Sequence, residues 1–306
     1  MIYLIGLIGI IIGLFSPAAG ILYLIPTVGV YFIEKKQKES SFFIGWLFGC
    51  GILYSLNIID KIQVLNLVFG TGLSCILLFY MIKREFLINT IYMSLLLLNS
   101  GYIAIRQILF SEYIFERYAQ AVDEAMKILS NRFPEGSEQY SLFLEMIEMT
   151  KNFYQKYSPG IWILTMMFCL IVGYYILSKK YNALETLRNY QTHRYIIYSL
   201  ILALMIAVLS PMYKGEPTFI MGKVQTSAIN YLFAMTPLFF LQGLGVLKMK
   251  IGRWIISSKI LLFLAVLTVI INPYVVLFIS VIGLFDNWFD FRNLSQTEDV
   301  NENHSD

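Results

Sequence analysis

The chain is predicted to fold as an all-α, polytopic membrane helix bundle of about eight to ten segments, with an extracytoplasmic helical hairpin inserted midway. Two observations carry this expectation. Of 306 residues, 58% are hydrophobic and only 14% charged, and the mean hydropathy of +0.66 is far from that of a water-soluble domain. Long apolar runs such as Ile161–Leu177, Tyr195–Leu209, Ser227–Leu247 and Ile255–Ile271 also recur, separated by short basic loops. A hydrocarbon layer about 30 Å thick takes roughly 17–25 apolar residues per helix, because it holds no water to satisfy open backbone groups.

The spans follow in order. Ile2–Phe15 and Ala18–Ile33 are short and read as half-helices meeting at Pro17, since proline breaks the backbone ladder and disfavours helix just before it. Phe42–Ile58, Ile62–Ile82 and Phe86–Ile105 come next. Gly160–Leu177, Tyr195–Met212, Ser227–Leu247 and Ile255–Ile271 form the later set, and the short Pro273–Phe285 follows Asn272-Pro273. The first apolar stretch imitates a secretory signal around Ser16-Pro17-Ala18-Ala19-Gly20. It lacks a basic leader and runs on well past signal length, so we expect it to be retained.

Basic residues sort the loops. Lys35, Lys36 and Lys38 form one cluster, Lys83 and Arg84 a second, Lys179, Lys180, Arg188 and Arg194 a third, and Lys248, Lys250, Arg253 and Lys259 a fourth. The intervening connections carry only Lys61, Lys214 and Lys223, apart from the insertion. Basic loops stay cytoplasmic, which puts both termini on the cytoplasmic side. Tyr and Trp near the span ends, among them Trp46, Trp162 and Tyr195, suit the headgroup level.

Residues 106–159 break the pattern. They are charge-rich, and their apolar positions fall at helical spacing: Phe115, Tyr118, Val122, Ala125, Leu129, then Tyr140, Phe143, Ile147, Thr150 (the one polar member), Tyr154, Tyr157. Pro134-Glu135-Gly136-Ser137 marks a turn between the two halves. Such a hairpin is either a cap whose stripes pair with each other or lie on the bilayer, or a docking surface for an envelope partner or a lid over a cavity. The domain reading is therefore a transmembrane unit over residues 1–294, interrupted by 106–159, and an acidic, disordered tail at 295–306.

Polar residues inside spans are costly and mark candidate sites. Asn66, Asn89, Asn99, Asn230 and Gln242 lie within spans, and Arg106 and Gln107 sit where the fifth span meets the insertion. Asn99, Arg106, Asn230 and Gln242 are the candidate ligand-binding set, with Arg106 suited to an anionic group. The competing reading is that the amides only hydrogen-bond between helices and that Arg106 snorkels. No Asp or Glu falls mid-span, which argues against proton-coupled transport. Close-packing pairs such as Gly9 with Gly13 and Gly45 with Gly49 let helices approach.

Catalytic constellations are missing. His193 and His304 are the two histidines, with no zinc-protease, nucleophile-elbow or phosphate-loop motif. Cys50, Cys75 and Cys169 are isolated within apolar runs, so neither a metal centre nor a disulfide framework is expected. We expect no enzyme activity, no cofactor and no nucleic-acid partner.

The last third is the most distinctive. Phe240-Leu241-Gln242-Gly243-Leu244-Gly245-Val246 precedes Lys248, Lys250 and Arg253, and the closing stretch reads Gly283-Leu284-Phe285-Asp286-Asn287-Trp288-Phe289-Asp290-Phe291-Arg292. This resembles the YybS-type bacterial membrane proteins catalogued as DUF2232, with Gly243, Gly283, Asp286, Trp288, Asp290 and Arg292 carrying the likeness. The resemblance implies a multi-pass protein of a bacterial cytoplasmic membrane. It also implies a fold similar to the S-components of energy-coupling-factor transporters and to the cell-shape protein MreD. An S-component docks its coupling subunit through an Ala-x-x-x-Ala face on an early helix; Gly9-x-x-x-Gly13 is the nearest substitute here. Two functions follow as expectations: an S-component-like protein that binds or transports a small molecule, or a non-catalytic scaffold for envelope or signalling partners. In the closing motif, Asp286 or Asp290 is expected to pair with Arg292 or a basic loop, and Trp288 to lie at the headgroups.

Overall fold

A computed structural model describes residues 2–29, 32, 39–133, 137–178, 190–210, 219–251 and 273–292. The span expected at Ile255–Ile271, the turn at 134–136, most of the basic loop residues and the tail at 295–306 lie outside the described residues. The described residues form a membrane helix bundle without strands.

Helices α1 (Ile2–Phe15) and α2 (Pro17–Leu24) meet at Ser16. Ser16 is extended and its Oγ accepts from the Ala19 amide at 3.4 Å, while Pro17 occupies the first helical turn, where a missing N–H costs nothing. The two helices fold back on each other. A Cβ on Gly20 would stand 2.9 Å from the Gly13 Cα, and one on Gly9 would meet Leu24. The chain reverses here because glycine faces glycine. Helix α2 then runs into a π-helical turn, Ile25–Gly29.

Helix α3 spans Glu39–Ser55 and α4 spans Lys61–Lys83. Asp60 caps α4 by accepting from the Ile62 and Gln63 amides, and Gln63 accepts from the Asp60 amide in return. The middle of α4, Asn66–Leu73, is π-helical. A π segment loosens the backbone ladder, and side chains take up polar groups around it. Trp46 donates from Nε1 to the Leu67 carbonyl at 3.1 Å, and Ser74 donates to the Phe69 carbonyl at 3.2 Å. Thr71 reaches the Pro17 carbonyl at 3.3 Å, tying α4 to the first hairpin.

Helices α5 (Ile88–Arg132) and α6 (Glu138–Ser178) have 45 and 41 residues. At 1.5 Å rise per residue each is over 60 Å long, about twice the hydrocarbon thickness, so their charged halves must project beyond it. The insertion is thus the continuation of two spans rather than a separate body. The only irregularity in α5 is at Phe110 (φ −131°, ψ 20°), and Pro159 lies within α6. In the projecting arm Tyr118 stacks on Tyr154 at 5.1 Å and Phe133 on Phe143 at 5.2 Å, with Leu129 buried between the helices. Phe115, expected in the seam, is 55% exposed.

Helices α7 (Arg194–Leu209), α8 (Phe219–Ile251) and α9 (Pro273–Phe289) complete the described chain. The core runs through Ile21, Leu24, Leu67, Leu78, Met166, Met167, Leu170, Leu238 and Leu241, all nearly inaccessible. Leu97, Leu202 and Phe278 point outward, as lipid-facing side chains do. Among the described helices, α8 and α9 make the tightest crossing. A Cβ on Gly243 would overlap the Ile279 carbonyl, and one on Gly283 the Phe239 carbonyl. The three cysteines are free and buried.

Candidate functional site

One face of α5 carries most of the polar groups that face α4. Asn99, Tyr102, Arg106, Phe110, Tyr113 and Arg117 are spaced by three and four, and so share a side of the helix. Facing them antiparallel are Ser74, Asn66, Lys61 and Asp60. At the buried end Asn99, fully enclosed, donates to the Ser74 hydroxyl at 3.1 Å and to the Leu95 carbonyl at 2.9 Å. Next, the Asn66 Oδ1 accepts from the Tyr102 hydroxyl and from Arg106 Nη1, the latter at 3.1 Å. The Tyr102 ring lies between Phe69 and Trp162, with centroids 5.7 and 5.4 Å away. Gly70 admits Trp162, since a Cβ there would stand 2.9 Å from the indole.

Beyond the kink the charges gather. Tyr113 donates to Asp60 Oδ2 at 3.2 Å, and Arg117 donates to the same oxygen at 3.3 Å and to the Tyr113 hydroxyl at 3.1 Å. The hydrogen bond to Tyr113, then the charge on Asp60, push the Arg117 guanidinium above its ordinary value, so it stays charged. Lys61 Nζ rests over the rings of Phe110 and Tyr113, 5.4 and 5.1 Å from their centroids. Arg106 is half-buried, and its Nε is enclosed without an acceptor among the described residues.

A second polar cluster closes the bundle where α8 and α9 cross. Gln242, fully buried, accepts at Oε1 from the Thr192 hydroxyl (2.8 Å) and amide (3.2 Å). Its Nε2 donates to Asp286 Oδ2 and to Asn287 Oδ1, each at 3.0 Å. Arg292, 1% exposed, donates to Asp286 Oδ2. Asp286 Oδ1 and the Tyr190 hydroxyl are enclosed there without partners among the described residues. Of the closing motif, Gly243 and Gly283 form the crossing and Asp286 with Arg292 the ion pair, while Trp288 is 53% exposed. Asp290 ends the helix at φ 40°.

The four candidates read from sequence therefore stand in different neighbourhoods. Asn99 and Arg106 share the α5 face, two turns apart. Gln242 belongs to the α8–α9 crossing. Asn230 does something else: its Oδ1 accepts from the Gly160 amide at 2.8 Å and its Nδ2 donates to the Lys156 carbonyl at 3.0 Å. Those are the two groups that a regular helix would join to each other, one residue past Pro159. An open groove between α7 and α8, lined by Ser199, Ala203, Ile206, Ala228 and Tyr231, includes none of the four. Reading the sequence for isolated polar residues missed Lys61, Tyr102, Tyr113 and Arg117 as members of the site. The signal was there in the spacing along α5, and dividing the chain at residue 106 cut it in two.

The chain belongs to the DUF2232 family of predicted membrane proteins, whose model matches residues 4–287. No curated protein and no solved structure matches it.

Proposed function

We propose that this DUF2232 member is a non-catalytic binding protein of the membrane, S-component-like, that holds a small molecule where α5 and α6 leave the apolar layer. The observation that carries the reading is Arg106. A guanidinium beside the bundle core, with one nitrogen on Asn66 and an enclosed Nε lacking an acceptor, carries an unmet hydrogen bond of about 1–3 kcal/mol. A ligand oxygen at that edge supplies the acceptor. Purification in mild detergent followed by denaturation and mass spectrometry tests this: the wild-type chain should release a stoichiometric small molecule that Arg106→Gln no longer retains. A wild-type chain that stays folded and releases nothing defeats the reading.

The projecting arm favours a second reading, a scaffold. Leu142, Met146, Met149 and Phe153 step along one side of α6 and are 54%, 57%, 57% and 47% exposed. A methionine-bearing apolar stripe in water is a surface suited to a partner. Crosslinking in cells decides it: reproducible envelope partners that vanish when residues 108–157 are deleted support the scaffold, and an unchanged profile removes it.

A further inference from the structure

We infer that the small molecule held at this end is an amphiphile with a phosphate-type anionic group, seated between Lys61, Arg106 and Arg117, an inference that rests on the binding reading above. Three cations converge on the α4–α5 contact, and among the described residues Asp60 is the one carboxylate drawn into it. That carboxylate is already occupied by Arg117, Tyr113 and the first amides of α4. Glu112 and Glu116 are on the same helix but lie about 80–140° around it from Arg106 and Arg117, and both are exposed. The cluster thus keeps an excess of positive charge that no acid described in the contact balances.

The spacing suits one anion. Lys61 and Asn66 are five residues apart on α4, about 7.5 Å along the axis, and Arg106 is fixed on Asn66. Lys61 carries a flexible stem and its ammonium lies over the Phe110 and Tyr113 rings without a carboxylate partner among the described residues. It can swing toward the Arg106 fork at little cost, because a cation–π contact at an exposed site is worth only about 0.5–1 kcal/mol. A guanidinium fork beside a mobile ammonium suits oxyanions, and a phosphate group supplies enough oxygens for both.

The surroundings define the rest of the molecule. Phe69, stacked on Tyr102, and Trp162, tilted against it, form an aromatic wall one turn deeper than the charges, and Phe69 is 38% exposed. An apolar tail would run along that wall while the phosphate stays at the cations. The shared chemistry fits either a membrane phospholipid headgroup or a free phosphorylated solute, and the experiment separates the two sources.

The test uses the full chain. In one arm it is placed in nanodiscs of equal phosphatidylglycerol and phosphatidylcholine, and retained lipid is counted by native mass spectrometry. In the other it is held in neutral detergent and titrated with inorganic phosphate by equilibrium dialysis. We expect phosphatidylglycerol retained severalfold over phosphatidylcholine, or saturable phosphate binding. Either should weaken roughly three- to tenfold in Lys61→Gln and in Arg117→Gln. Both side chains are exposed, so these variants fold even where Arg106→Gln does not, and melting curves verify that. Lys127→Gln, an exposed change farther along the arm, should leave binding unaltered. Equal retention of the two lipids together with no phosphate binding overturns the inference, as does equal weakening by Lys127→Gln. A neutral ligand retained by wild type and indifferent to Lys61→Gln would overturn the anion while leaving the binding reading intact.

Discussion

Arg292 places two donors on a single oxygen of Asp286: Nε lies 2.9 Å and Nη2 2.6 Å from Oδ2, and both side chains are almost wholly enclosed. Six residues separate them in sequence, and the pair folds the chain back over the end of α9. Gln242 adds a third donor to that oxygen and passes the contact on to Thr192. The closing stretch is thus a clasp that holds α8, α9 and the segment before α7 together.

Breaking such a pair costs more than replacing it, because removing one partner leaves the other's charge uncompensated. Arg292→Met should destabilise the protein by about 3–5 kcal/mol in denaturant unfolding in detergent. Asp286→Leu with Arg292→Met should recover most of that loss, since Gln242 keeps Asn287 and Thr192 as partners. A double variant as unstable as Arg292→Met alone would mean that the charges are not what the motif supplies.

Glycine at the α8–α9 crossing permits backbone contact, and a methyl group there has nowhere to go. Gly243→Ala and Gly283→Ala each push against a helix backbone, a fixed obstacle, and should cost at least the 1–3 kcal/mol of ordinary overpacking. Gly101→Ala is the contrast: nothing lies within 4 Å of its Cβ, and the gain in helix propensity should stabilise by up to about 1 kcal/mol. Thermal melting of the three variants checks this, and equal effects at all three sites would contradict the close crossing.

How much of this was legible beforehand depends on period. Apolar runs located the described helices because lipid imposes a length on them, and the break at Pro17 followed from the missing amide. The continuity of α5 and α6 was not legible, because a drop in hydropathy at residue 106 marks where water begins and not where a helix ends. Asn99 and Gln242 were found as polar residues in apolar runs, yet their partners Ser74, Thr192 and Asp286 are 25 to 50 residues distant. Pairing across that separation is fixed by packing. The Asp286–Arg292 pair was foreseen as one of several options because its members are neighbours in sequence.

The projecting arm should open far more readily than the bundle. Its two helices meet through a few ring contacts and one buried leucine, and most of its surface is exposed. Local opening free energy follows buried contact. Amide exchange in detergent should therefore be fastest at residues 111–157 and slowest at 88–103, where α5 faces the core. Uniform protection along α5 would show the arm to be braced by something else. Tyr118→Ala, which removes one of the two stacks, should quicken exchange in the arm and leave 88–103 unaffected.

Asn230 offers the sharpest test of whether a polar residue in a span is there for the fold. It lies against α6 just past Pro159, accepting from the Gly160 amide and donating to the Lys156 carbonyl. Asn230→Leu strands both groups, and each orphaned backbone group costs about 1–3 kcal/mol. The loss has a specific remedy. Pro159→Ala restores the missing amide, whose partner is the Gln155 carbonyl, and relieves the ring's crowding of that turn, so Gly160 and Lys156 can bond each other without Asn230. The double variant should then be more stable than Asn230→Leu alone, whereas Pro159→Ala by itself should gain less, because Asn230 already satisfies Gly160 and Lys156. If the two substitutions simply add in unfolding measurements, Asn230 is not repairing the proline, and its amide would be free for a ligand after all.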